Sequence, residues 1–285
     1  MDWVPLLFSD DVCHRLSRPA FNRVSQLSDS WPAFGSEHSE KRRELKFVCQ
    51  GDDQGVSYNL QETDWYSREV TVEDLNLEFD RITSFAFDRS CPNDRRVSLH
   101  EFERDILPTI APLVTNCSWP YLVPQRRDQH RFFFNAFKNC PGFNKITVQE
   151  QSQESRDFVA RQVELGSVQK LKLYANRESM TWSEPEKLAE TLKKFVKSGR
   201  FVELNSWNPL PNSFELCKLF LQRALAGELK RSAVITIENL HFSASQLNAL
   251  LPGCRADAEE LEWKIPDSNL RISLVNIPNV LMVVE

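Results

Sequence analysis

Residues 168–176 read Val168, Gln169, Lys170, Leu171, Lys172, Leu173, Tyr174, Ala175 and Asn176. Apolar side chains fall at the first, fourth and sixth places, and an amide at the ninth, the pattern L-x-x-L-x-L-x-x-N with Val first. Alternate residues of a strand face opposite ways, so Leu171 and Leu173 turn inward together while Lys170 and Lys172 turn outward. The spacing returns along the chain. Phe143, Ile146 and Val148 carry its first six places, Phe201 with Leu204 and Phe79 with Ile82 its first four, and Ser232, Ile235 and Ile237 a looser copy. These copies start at 79, 143, 168, 201 and 232, so the gaps are 64, 25, 33 and 31 residues. The long first gap leaves room for a degenerate unit near Trp119, Pro120 and Tyr121.

Helices are expected between the strands. Leu99, Phe102, Ile106, Ile110 and Leu113 form one apolar stripe, which Pro108 and Pro112 should kink or break. Leu188, Leu192, Phe195 and Val196 form a second, and Phe214, Cys217, Leu221, Ala224 and Leu225 a third. Lys193, Lys194 and Lys197 read as the solvated face of the second. Ser98 with Glu101 and Ser183 with Glu186 match the capping box; Asn212 with Glu215 and Ser243 with Gln246 are weaker versions. Gly142, Gly166, Gly199, Gly227 and Gly253, five of the eight glycines, each follow a helix-like segment, at intervals of 24, 33, 28 and 26. Glycine is favoured just past a helix because it adopts positive φ without a Cβ clash.

One helix and one strand per unit, repeated at this period, resembles the leucine-rich repeats in an irregular, long form over residues 75–265. The resemblance implies a solenoid with a parallel sheet. Three short strands near Glu262–Ile265, Arg271–Leu274 and Val280–Val284 then read as a small β cap shielding its last unit. The competing expectation is an ordinary α/β domain whose elements happen to space evenly.

Residues 1–46 differ in character. Leu7, Phe8, Val12, Leu16, Phe21, Val24, Leu27 and Trp31 recur at helical spacing, Ser9, Asp10 and Asp11 supply a helix start, and Ser17, Arg18 and Pro19 a turn. Three short helices bury little core alone, so such a module needs a partner or an adjoining domain. Val4 and Pro5 followed by this series resemble the F-box, which opens on a Leu-Pro pair and closes near a Trp. The departures are Val for the first Leu, and Leu6 and Leu7 where acidic residues are commoner. With an irregular repeat region behind it, the chain looks like the large nematode F-box-like families. The resemblance implies a substrate receptor that docks on a Skp-type adaptor of a cullin–RING ubiquitin ligase through Val4, Pro5, Leu7, Phe8, Val12, Leu16, Val24, Leu27 and Trp31. The alternative is that these residues pack on the protein's own first repeat, in a repeat-based scaffold with no ligase link.

Residues 47–75 are expected to be a polar linker, acidic from Asp52 to Asp74, with Trp65 and Tyr66 as core plugs under the repeat or, alternatively, an exposed contact. The recognition domain then spans 76–285. Solenoids bind with their exposed strand face, which nominates Lys172, Tyr174, Glu203, Asn205 and Thr236 for a target protein. Arg126, Arg127, His130 and Arg131, the compact basic cluster, read as a solvated helix face, the alternative being a site for an acidic partner or a phosphorylated segment.

Composition removes other classes. The chain has 285 residues, a formal charge of −5 and 41% apolar residues, so it carries a real core, and acidity disfavours nucleic acid as its main partner. No run approaches the length of a membrane helix, and the acidic start reads as lacking a signal peptide, so a cytosolic or nuclear location is expected. The sequon at Asn116 then has no consequence. Seven scattered cysteines without a CxxC pattern read as buried thiols, not disulfides or zinc ligands. Five dispersed histidines and eight glycines form no zincin, phosphate-loop or dinucleotide pattern, so neither metal, cofactor nor catalysis is expected. A site assembled from distant residues is the remaining enzymatic alternative.

Overall fold

The computed structural model describes residues 6–16, 20–28, 31–52, 54–63, 68–87, 95–119, 127–148, 152–174, 184–207, 210–230, 232–237, 246, 262–264, 270–275 and 279–284. They form a mixed α/β fold in which mostly parallel strands pair with a few antiparallel ones. Two compact units divide the chain: 1–119 with 140–143, and 120–139 with 144–285.

The first unit opens with α1 (Leu6–Arg15), α2 (Phe21–Val24) and α3 (Trp31–Lys41). Cys13, Phe21 and Val24 are buried against one another, with Leu16, Trp31 and Phe34 packed beside them. α1 begins at Leu6, so Ser9 lies inside the helix and does not start it. Two buried arginines hold the end of α1. Arg42 donates to the carbonyls of Cys13 and His14 at 3.3 and 3.4 Å, and Arg81 donates to His14 at 3.1 Å. Guanidinium groups suit that end, where the last helical carbonyls lack partners and the dipole is negative.

Within residues 47–75, expected to be a linker, most of the described residues are instead sheet. β1 (Glu44–Asp52) and β2 (Gly55–Glu62) form an antiparallel hairpin, and β3 (Glu69–Val70) pairs with β2. Phe47, Cys49, Val56, Tyr58 and Leu60 are buried, while the acidic residues gather at strand ends and turns, where Asp52 pairs with Arg96 and Glu62 with Arg43. Trp65 and Tyr66 lie outside the described residues. β4 (Arg81–Phe87) joins β1 in parallel, β5 (Arg96–Val97) pairs with β2, and β6 (Val114–Trp119) joins β4 in parallel. β6 ends at the tryptophan where a degenerate unit was expected. Phe47, Phe85, Phe102, Trp119 and Phe143 form the core, with Trp119 and Phe143 edge to face at 5.0 Å.

The two prolines do break the helix before β6. It runs as α4 (Leu99–Glu101), a π-helical turn (Phe102–Ile106), α5 (Leu107–Ile110) and a 3-10 turn (Ala111–Leu113). Pro108 has no N–H to return to the preceding turn, so the bond ladder is rerouted there. Ser98 caps the start as expected, its hydroxyl accepting from the Glu101 N–H at 3.1 Å. Gly142 does not take a left-handed conformation. It is required for another reason: a Cβ there would overlap the main-chain carbonyl of Val114.

The second unit starts with α6 (Arg127–Ala136) and then alternates strictly: β7 (Phe143–Val148), α7 (Gln153–Leu165), β8 (Lys170–Leu173), α8 (Pro185–Lys197), β9 (Glu203–Ser206), α9 (Ser213–Leu225), β10 (Val234–Ile237). Each strand pairs in parallel with the next. Consecutive helices pack together. Gln162 of α7 donates to the carbonyls of Phe137 and Lys138 past α6, and Arg223 of α9 donates to Ser198 past α8, so each helix satisfies the frayed end of an earlier one. Val168, Leu171, Leu173, Phe201, Leu204, Ile235 and Ile237 are buried, as the repeat pattern requires. Each such side chain contributes about 1.5–3 kcal/mol when fully covered.

Caps vary more than their signatures. Gly166 ends α7 at φ 75° as expected, but Gly199 follows α8 without positive φ because extended Ser198 makes the turn. α8 is entered through Glu184 at φ 55° and α9 through Asn212 at φ 55°, neither with a side-chain cap bond. The pattern at Ser183 and Glu186 is therefore displaced by one residue. Beyond β10, the tail forms β11 (Glu262–Lys264), β12 (Leu270–Val275) and β13 (Asn279–Val284), an antiparallel ribbon in which β13 pairs with β10. Gly253 and the signature at Ser243 fall outside the described residues, Gln246 excepted.

Candidate functional site

Two surfaces gather the residues nominated from sequence. On the first unit, Phe8 and Leu27 leave 54% and 51% of their surface in solvent. They belong to the helical trio but not to its internal cluster. Val12, one helical turn beyond Phe8, is half-buried. Leu16 and Trp31 pack on the cluster, and Val24 is inside it. Leu7 lies on α1, with its side chain outside the described residues, as are Val4 and Pro5 altogether. The described members of the nominated set thus divide into residues that build the trio, such as Val24, and residues left exposed, Phe8 and Leu27.

That trio is not free of its own chain. The imidazole of His38, buried in α3, lies 5.3 Å from the Phe79 ring and 4.9 Å from the His14 ring. Below it, buried Asp80 accepts both Arg43 Nε and Nη2, at 2.7 and 2.6 Å, and the Asn76 N–H at 2.7 Å. Hydrogen bonding to Asp80 is the chief cause that raises the Arg43 guanidinium further above its ordinary value.

On the second unit, pairing register places Lys172, Asn205 and Thr236 side by side on β8, β9 and β10, facing away from Leu171, Leu204 and Ile235. The adjacent row is Lys145, Lys170, Glu203 and Val234. Glu203 joins the rows: its carboxylate lies 2.8 Å from Lys172 Nζ and 3.5 Å from Lys170 Nζ. Burial pushes the Glu203 carboxyl up, but the hydrogen bonds and charges of Lys172 and Lys170 outweigh it and hold the group below the ordinary carboxylate range. The same pairing raises Lys172. The Asn205 Oδ1 is shielded from solvent and accepts no hydrogen bond.

Tyr174 and Trp207 close this face, with ring centroids 4.7 Å apart and edge to face. Trp207 is 55% exposed. Sequence reasoning nominated Tyr174 and missed Trp207. The signal was available, since both hold the seventh place counted from the first apolar residue of their repeats, Val168 and Phe201.

The basic cluster is only partly described: Arg131 on α6 lies 3.7 Å from Glu154. Among the described residues no group of three His, Cys, Asp or Glu side chains is placed to hold a metal ion, and no helix is long and apolar enough to cross a membrane. Burial pushes the thiols of Cys140 and Cys217 up to about 12 and that of Cys117 well above its ordinary value. No family model matches the chain, and no curated protein or solved structure matches it.

Proposed function

We propose that the chain is a substrate receptor of a cullin–RING ubiquitin ligase, in which α1–α3 act as an F-box-like module on a Skp-type adaptor and the β7–β10 face of a leucine-rich-repeat-like solenoid holds the protein to be modified. The observation that carries this reading is the exposure of Phe8 and Leu27 beside a helical cluster that is already closed without them. Large apolar side chains left exposed on such a module are what a partner's groove takes up. The alternation of β7–β10 with α7–α9, neighbour on neighbour, supports the repeat half.

In this role the chain performs no covalent chemistry. It tethers a target so that a lysine of that target meets the charged ubiquitin carrier at high effective concentration. The protein would then work in the cytosol or nucleus, where that machinery operates. Mixing the purified chain with a purified Skp-type adaptor and resolving the mixture by size tests the claim. Co-elution as a one-to-one complex is the expected result, and separate elution at micromolar concentrations overturns it.

A second reading has its own observation. Arg42 and Arg81 bind the end of α1 to its own unit, which suits a cap on a scaffold with no ligase link. The same experiment separates the two readings.

A further inference from the structure

We propose that the β7–β10 face takes an extended acidic protein segment and seats one apolar or aromatic side chain of that segment on the Tyr174–Trp207 pair. This rests on reading the face as the target surface and names what the surface selects.

The argument starts from charge. Among the described residues, the two rows carry Lys145, Lys170 and Lys172 against the single carboxylate of Glu203, three positive charges to one negative, while the whole chain is −5. A local cationic strip on an acidic protein draws anionic segments and repels basic ones. Glu203 does not cancel it, because an ammonium has three donors and one carboxylate engages both Lys170 and Lys172. Glu203 instead fixes the two ammonium groups in place.

Geometry adds the second requirement. Neighbouring strands are about 4.8 Å apart, so lysines on β7 and β8 present cations at a spacing that the side chains of an extended segment can meet. Where the strands end, the exposed indole of Trp207 against Tyr174 gives an apolar seat with polar edges. Three lysines around a carboxylate favour a peptide over nucleic acid, since polyphosphate binding draws on about 6–10 cationic contacts.

The test uses the full chain and a fluorescein-labelled peptide of alternating Glu and Asp around one Trp, followed by fluorescence anisotropy. A peptide with Lys and Arg in place of the acids, a neutral Ser-Gly peptide keeping the Trp, and an oligo-dT strand serve as the other probes. The acidic peptide is expected to bind at least about tenfold tighter than the basic one. Lys170→Glu with Lys172→Glu should weaken it about tenfold, and Trp207→Ala by a similar factor. Glu203→Gln should tighten it about two- to fivefold, a direction that loss of folding cannot imitate. Equal or tighter binding of the basic peptide, the neutral peptide or oligo-dT overturns the inference, as does acidic-peptide binding that ignores the lysine variants. If the basic or neutral peptide binds and Trp207→Ala abolishes that binding, the face is a target surface and only its acidic selectivity falls. If no peptide binds, the reading of the face falls as well.

Discussion

Arg81 Nε donates to the main-chain carbonyl of His14 at 3.1 Å, joining the start of β4 to the last turn of α1 across 67 positions of sequence. The same guanidinium reaches the carbonyls of Leu77, Glu78 and Asp80. A buried arginine that gathers main-chain oxygens in this way is a clamp, and what it clamps is the helix that displays Phe8.

Replacing that clamp tests how the trio is held. Arg81→Met keeps the apolar stem and removes the donors, leaving shielded carbonyls unsatisfied. We expect a loss of about 2–4 kcal/mol in urea unfolding. Hydrogen exchange should show faster exchange in α1 than in β1 and β4. Uniform protection across all three would show that the clamp carries no such role.

Asp80 tests the layer beneath. Its carboxylate is fully buried and meets Arg43 through two hydrogen bonds. Asp80→Ala takes two hydrogen bonds from Arg43, which keeps the Asp74 carbonyl and Glu62, and leaves the Asn76 N–H without its acceptor, and should cost about 1–3 kcal/mol. Asp80→Asn retains an acceptor and should cost less. Denaturant midpoints of the two variants decide the order.

Two glycines separate space from conformation. At Gly142 an added Cβ runs into the carbonyl of Val114, so Gly142→Ala should cost about 3 kcal/mol or more. At Gly166 nothing stands near an added Cβ, but φ is 75°, so Gly166→Ala should cost only about 1 kcal/mol. Thermal melts that reverse this order would contradict the close approach.

The buried thiols give a pH prediction. Cys140 and Cys217 rise from an ordinary 9.0 to about 12 in the folded chain. At pH 8 a thiol of that value is ionised in about one molecule in ten thousand, and the thiolate is the reactive form. Native protein should leave both unalkylated by iodoacetamide, as mapped by mass spectrometry, and label both after unfolding. Because the folded values lie above the unfolded ones, the stability that these groups contribute is complete below about pH 9 and declines as pH rises towards about 12. Labelling of the native chain at pH 8 would refute the burial.

How far the sequence spoke depends on the residues asked. The spacing of Val168, Leu171 and Leu173, copied at Phe201 and Leu204, fixed both the strands and which side chains face outward, because burial forces alternate residues to one side. Pro108 and Pro112 announced a broken helix, since a missing N–H acts through chemistry alone. The hairpin of β1 and β2 differs from the expected linker because the acidic residues that make the segment polar sit at strand ends, while Val56, Tyr58 and Leu60 alternate between them and are buried. Helix entries at Glu184 and Asn212 were hidden because left-handed turns replace the side-chain bond that a capping box advertises. Trp207 was overlooked because its exposure depends on where β9 ends, which single residues do not reveal. Arg42, Arg81 and Asp80 gave no signal either. Their burial follows from partners that are distant in sequence.

The central claim is that Phe8 and Leu27 are displayed for another subunit. Calorimetric titration of a Skp-type adaptor into the wild-type chain and into a Phe8→Asp/Leu27→Asp variant tests it most directly. Both side chains are half in solvent, so the variant should keep the wild-type melting temperature within a few degrees. The account predicts measurable binding by the wild type and at least about a hundredfold loss in the variant. Equal binding by the two, or none by the folded wild type, would contradict it.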